Sequence, residues 1–313
     1  MTQMRGRATS LRSSSGDLLD VSRFPRSWGS QTEESQHLFN GRFELEFLEA
    51  NTPGIATFTT LPDGRVIGNI RTNTCDYGLL VGIRERGHLH LSRFDGLRAI
   101  LLDVTIDDEN RLHGDFWSGV SSRKTWSATR SHGDTKLDDP FEATRWNDGD
   151  ALEATEVLSL TGRRKNLRGL LNSRKPTILF LFGTWSPESL DALRLWSSLA
   201  ARFPGEFQLL GLAFEPTKNI QLELERLREF QMRAELKIPV YLAGAADLEQ
   251  ASASTPFLNG IRTFPTTIFL DRDSNPAAIH TGFAGPATGS AHQELRARYV
   301  QLINELRLPR FVH

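Results

Sequence analysis

The sequence predicts two domains of different class: an all-β antiparallel N-terminal domain, then an α/β domain with a mixed sheet flanked by helices. Three observations carry this. Between Phe39 and Arg130, short alternating apolar runs recur with turn residues between them, and no helical period interrupts. From Leu152 onward, apolar strands alternate with segments of helical spacing. A polar, turn-rich stretch, "SHGDTKLDDPFEATRWNDGD", separates the two patterns. The boundaries read 1–35 as a disordered leader, 36–130 as the β domain, 131–150 as a linker and 151–313 as the α/β domain.

In the front half the strands are "RFELEFLEA", "GIATFTT", "RVIGNIRT", "GLLVGIRE", "HLHLSRF", "RAILLDVTI", "RLHGDFWSG" and "KTWSATR". Turns fall at Asn51-Thr-Pro-Gly, Pro62-Asp-Gly, Arg86-Gly, Asp95-Gly and Asp107-Asp-Glu-Asn. Strands recurring every 8–12 residues or so build a small barrel or a sandwich. In the back half "TILFLFGTW" is continuously apolar, as expected of a central strand covered on both faces. Helix "ESLDALRLWSSLAARF" follows, with Leu190, Leu193, Trp196 and Leu199 at helical spacing. Next come strand "FQLLGLAFE", helix "NIQLELERLREFQMRAEL", strand "PVYLA", helix "LEQASASTPFL", strands "TTIFLD" and "AAIHTGF", and a helix from Ser290 to Leu306.

Composition bounds the function. The chain has 313 residues, 39% hydrophobic and 24% charged, with a formal net charge of -1. No charge excess points to nucleic acid, and no apolar run is long enough for a membrane span. The N-terminus is polar and lacks the apolar core of a secretory signal. Read as written, the chain is expected in the cytoplasm, with a signal lost upstream as the alternative. Its one cysteine, Cys75, can form no intramolecular disulfide and no cysteine metal cluster, and reads as a small buried residue. It stands in the half of the sequence opposite to the α/β pattern.

The stretch "LFGTWSPESLDALRLW" carries the most chemistry. Serine is a preferred N-cap, proline suits the first helical position, and a first-turn glutamate suits the helix dipole. Ser186-Pro187-Glu188 is therefore a well-formed helix start. Further on, Phe264-Pro265-Thr266-Thr267 enters a strand.

The strand ending in Gly-Thr-Trp before a helix, together with "RTFPTTIFLDRDSNPAAIHTGFAGPATG", resembles the thioredoxin-like superfamily, and within it the TlpA/ResA-like (AhpC/TSA, redoxin) branch. The likeness covers residues 150–313. A weaker one links "SRFDG" and "GDFWSG" to N-terminal domains that precede redoxin modules. The resemblance implies a thiol–disulfide oxidoreductase fold with Phe264–Pro265 as its cis-proline loop. It also implies two cysteines at the positions of Ser186 and Ser189, and neither is cysteine. Disulfide exchange needs a thiolate, which a serine hydroxyl cannot replace. A serine nucleophile would need a general base, and His280 falls on the strand after the proline loop.

The chain then reads as a pseudo-oxidoreductase, a non-catalytic module binding a peptide, a protein partner or a glutathione-like thiol. The binding surface would be Trp185, Ser186, Pro187, Phe264 and Pro265. The alternative is a redoxin-class oxidoreductase or a glutathione-binding enzyme using a serine at the helix start. No cofactor and no metal are expected. His88 and His90 share a strand face with His113 within reach, and read as exposed polar positions with no carboxylate at ligand spacing. The acidic run Asp103, Asp107, Asp108 and Glu109 reads as a hairpin turn, and Arg163–Arg168 as a solvated loop. Gly282, Gly285 and Gly289 read as turn glycines, and Trp117 and Trp126 as β-domain core.

Overall fold

A computed structural model describes residues 39–308, apart from 50–51, 86, 97, 121, 134–136, 148–150 and 172–173. The expected leader, residues 1–35, lies outside the described residues. The described residues form two compact units: those of 39–70 with 77–133, and those of 71–76 with 137–308.

Unit 1 is a closed antiparallel barrel of eight strands in sequence order. They are β1 (Gly41–Phe47), β2 (Thr52–Thr60), β3 (Arg65–Thr72), β4 (Leu80–Glu85), β5 (His88–Phe94), β6 (Ala99–Ile106), β7 (Leu112–Ser118) and β8 (Ser122–Arg130). β1 pairs with β8, which closes the sheet and removes its edges. Alternation places Phe43, Leu45 and Phe47 of β1 and Trp126 and Ala128 of β8 inside. The rings of Phe47, Tyr77 and Phe116 meet at 4.8–6.0 Å, so side chains fill the interior. Trp117 departs from the expected core position. It points to the outer face, where the Arg123 guanidinium lies 5.7 Å from its ring.

Unit 2 is built on a seven-stranded mixed sheet in the order β10-β9-β13-β12-β11-β14-β15. Its elements are α1 (Ala151–Ala154), β9 (Glu156–Ser159), β10 (Arg164–Asn166), β11 (Thr177–Phe182), α2 (Pro187–Arg202), β12 (Gln208–Glu215) and α3 (Ile220–Arg233). These are followed by β13 (Val240–Ala245), α4 (Leu248–Ala253), β14 (Thr266–Leu270), β15 (Pro276–Thr281) and α5 (Ser290–Arg307). β11 is central, parallel to β12 and antiparallel to β14, and all six of its residues are buried. One cluster packs α2 and α5 against the sheet through Leu193, Trp196, Leu199, Phe269, Tyr299 and Leu302. A second holds Leu179, Leu181, Phe214, Phe257, Phe264 and Ile268.

Three segments differ from the sequence expectation. The run read as a solvated loop supplies β10, an edge strand whose three residues are all exposed. The helix expected over "LEQASASTPFL" stops at Ala253, where the Ser254 and Thr255 hydroxyls turn back onto the Gln250 and Ala251 carbonyls. The described part of the stretch read as a linker, from Leu137, belongs to unit 2. Thr281 N donates to Pro140 O, the Thr144 and Thr281 hydroxyls meet at 2.8 Å, and Trp146 packs on Phe257. Thr144 is buried there, whereas Asp138, Asp139, Glu142, Arg145 and Asn147 stay exposed. No helix among the described residues is long and apolar enough to cross a membrane.

Candidate functional site

The site forms where β11 ends and α2 begins. After Phe182 the chain turns through Gly183, against which the Trp185 indole is folded so closely that a Cβ would collide with the ring. Trp185 Nε1 donates to Phe214 O at 2.9 Å. Its ring stands edge-on to Phe264 at 6.0 Å, and Phe264 lies 5.0 Å from Phe214. These three rings join the α2 entrance to the loop before β14, where the Phe264–Pro265 peptide bond is cis. Pro265 O accepts from Gly282 N at 2.8 Å, tying the loop to the end of β15.

Ser186 is the α2 N-cap: its backbone is extended, and its Oγ accepts from Ser189 N at 3.2 Å. Pro187 fills the first helical position, where its missing N–H costs nothing. Ser186 Oγ lies 3.0 Å from Glu188 Oε2 and 3.4 Å from Phe264 O. A hydroxyl has one proton, and the nearer, charged acceptor is the stronger partner. Ser189 is wholly buried, and its Oγ receives Gly183 N at 3.4 Å.

Glu188 uses its other oxygen on an unexpected partner. Cys75 Sγ donates to Glu188 Oε1 at 3.2 Å. The sequence places Cys75 in the β half, but the chain leaves unit 1 after Ile70, gives Arg71–Asp76 to unit 2, and returns at Tyr77. That six-residue turn is closed by Thr72 N on Cys75 O (2.8 Å) and by Cys75 N on Thr72 Oγ1 (3.1 Å). Four more hydrogen bonds fix it. Thr263 Oγ1 donates to Thr74 O at 3.0 Å, and Gly285 N to Asp76 Oδ2 at 2.6 Å. Asn73 and Asp138 exchange a reciprocal pair at 2.6 and 2.9 Å. The single thiol is thereby held at the α2 start, against Glu188, which stands two residues after the cap.

Ahead of the cap, Thr184 donates through N (3.0 Å) and Oγ1 (2.7 Å) to Glu215, at the end of β12. Burial pushes the Glu215 carboxyl up to about 7, against the pull of the two Thr184 donors. His280 belongs to another cluster. It pairs across the ladder with Thr267, faces Phe141 at 4.8 Å, and has Nδ1 3.0 Å from the Tyr299 hydroxyl. Burial drives its pKa down to about 4, so it is neutral at pH 7.

All five residues expected to form a binding surface are thus brought together, but as a largely buried cluster. Ser186 is 1% exposed and Phe264 5%; Pro187 and Pro265 are buried too, and Trp185 alone is half-buried. Sequence reasoning missed Cys75, Glu188 as the group between thiol and hydroxyl, Thr263 and Glu215. The arrangement offers two buried hydroxyls, of Ser186 and Ser189, at the start of α2, and one thiol facing a carboxylate.

A buried strand enters a capped helix here, faced by a cis-proline loop that leads into an antiparallel neighbour. No family model and no curated protein matches the sequence. Solved structures match at low identity. A thioredoxin-like protein of Porphyromonas gingivalis is 17% identical over 51% of this chain and 95% of its own, with a TM-score of 0.38. A secreted thiol-disulfide isomerase of Corynebacterium glutamicum is 19% identical over 56% and 96%, with a TM-score of 0.35. A secreted disulfide oxidoreductase of Mycobacterium tuberculosis is 15% identical over 48% and 99%, also with a TM-score of 0.35.

Proposed function

We propose that this chain is a thioredoxin-fold binding module without dithiol chemistry, and that the place where such a fold would receive an extended peptide is taken by its own segment 71–76. The observation that carries the reading is Cys75 Sγ on Glu188, at the start of α2, with Thr74 O receiving Thr263 Oγ1 beside the cis-proline loop. An occupant from another molecule, a peptide or protein segment or a glutathione-like thiol, would compete with this segment for the Thr263 hydroxyl and the Glu188 carboxylate. The finer likeness to the TlpA/ResA-like branch is supported by the Phe264–Thr267 entry into β14, the Asp271 turn and β15.

Catalysis of dithiothreitol-driven insulin reduction tests the reading. The wild type is expected to show none above background. Turnover abolished by Ser186→Ala would overturn it in favour of a serine-dependent enzyme. Competition is tested by alkylation of Cys75. The thiol is expected to react slowly, and faster in Thr263→Val or when glutathione or an extended peptide is added. A fast rate equal in all samples would show that the segment is not held at the site.

A further inference from the structure

The His88-x-His90 pair gains a third donor once the barrel is formed. β5 and β6 pair with His90 opposite Asp103 and His88 opposite Thr105. Opposed residues share a face, as do residues two apart on one strand. Leu89 and Leu91 are wholly buried, so His88, His90 and Asp103 stand on the outer face. There His90 Nδ1 lies 3.3 Å and His88 Nδ1 3.6 Å from one and the same oxygen, Asp103 Oδ1. That oxygen is closed to solvent and makes no hydrogen bond, although two ring nitrogens face it. The imidazoles are nearly parallel, 11° apart, and the three donor atoms all lie within 4.8 Å of one another.

A neighbouring pair shows what a simple histidine–carboxylate contact looks like here. His113 Nε2 meets Asp107 Oδ2 at 2.8 Å in a hydrogen bond. His113, expected within reach of the other two histidines, is engaged in this way instead. At Asp103 the geometry differs: two nitrogens converge on one oxygen, each too far or too poorly aligned to bond it. A cation with bonds of about 2.0–2.1 Å to nitrogen and oxygen, in tetrahedral array, sets its donors about 3.3–3.4 Å apart.

We propose that His88, His90 and Asp103 form a binding site for a divalent transition metal of the Zn2+ class. Two imidazoles and one carboxylate suit a borderline cation, whereas calcium and magnesium select all-oxygen sets. Three protein donors on an exposed strand face leave a coordination position for water, unlike a closed four-ligand structural site. Glu85, opposite His88, and Asp115, opposite Asp103, add negative charge at adjacent register positions, with Asp115 paired to Arg123 at 2.9–3.1 Å.

The test is calorimetric titration of the chelator-treated full chain with ZnCl2, with CoCl2 as a spectroscopic probe. The wild type is expected to bind a single equivalent and to give intense visible Co2+ absorption. Asp103→Asn should weaken binding by at least about tenfold, and His90→Ala should abolish it and the absorption. Cys75→Ser and His113→Ala should bind as the wild type does, which separates the site from the lone thiol and from the Asp107 pair. If His90→Ala does not fold, His88→Ala on the same exposed face carries the same expectation. No binding by the wild type, or binding that survives both Asp103→Asn and His88→Ala, would overturn the assignment.

Discussion

Two helix starts in unit 2, those of α2 and α3, use the same local device in different surroundings. Ser186 caps α2 through Ser189 N, and Asn219 caps α3 through Leu222 N, each at 3.2 Å. Each has a threonine two residues ahead whose N–H donates to a buried glutamate: Thr184 to Glu215 and Thr217 to Glu223. The difference lies around the cap. Asn219 is exposed, and its side chain serves the helix. Ser186 is buried beside Glu188, whose second oxygen receives the Cys75 thiol from a distant part of the sequence. Helix capping therefore accounts for a serine at 186, but not for its burial or for what is assembled around it.

The largest expected effect lies at Glu215, beside the α2 start. Glu215 has a folded pKa raised from 4.5 to about 7. Between those values the folded state binds the proton that the unfolded state has lost, so stability falls as pH rises through that window. The fall approaches about 3 kcal/mol. Glu215→Gln should remove it, seen as a flatter pH profile of urea midpoints. His280 acts with the opposite sign. Its folded pKa is depressed from 6.5 to about 4, so the unfolded state takes up the proton first, and stability is lost as pH falls through 6.5 toward 4. Where the windows overlap the two slopes oppose, and removing either group should unmask the other. Identical slopes in Glu215→Gln and wild type would contradict the burial argument.

Next in size is the cap itself. Ser186→Ala loses the α2 cap and removes a donor from the buried Glu188, costing about 2 kcal/mol, the upper end for a cap. Asn219→Ala at the exposed start should cost about 1 kcal/mol, and so should Asp247→Ala, which unseats the cap that receives Gln250 N at the start of α4. Chemical denaturation of the three variants checks the ranking, and equal losses at all three would break the comparison.

Much of this was legible in the sequence because it is local. The apolar run of β11, the Ser-Pro-Glu start of α2, the Asp107 hairpin and the alternation of the barrel strands are periodicity and turn chemistry, which act over a few residues. The choice of a closed barrel over a sandwich was not legible, since it depends on β1 pairing with β8. The site was half legible. Trp185, Ser186, Pro187, Phe264 and Pro265 lie on motifs, whereas Cys75, Glu215 and Thr263 arrive through tertiary packing that no local pattern encodes. Asp103 was hidden for the same reason, because its place beside His90 is a matter of strand register. The place of residues 71–76 at the start of α2 was not legible, because they were read with the strands that flank them.

The most direct test of the account puts a second thiol at the cap. If Cys75 is held against Glu188 as described, Ser186→Cys should bring two sulfurs together across one carboxylate. Under mild oxidation the monomer should then lose both titratable thiols, with none lost in Ser189→Cys, where the side chain faces Gly183 N. Two free thiols remaining in oxidised, folded, monomeric Ser186→Cys would contradict the placement of segment 71–76 at the start of α2.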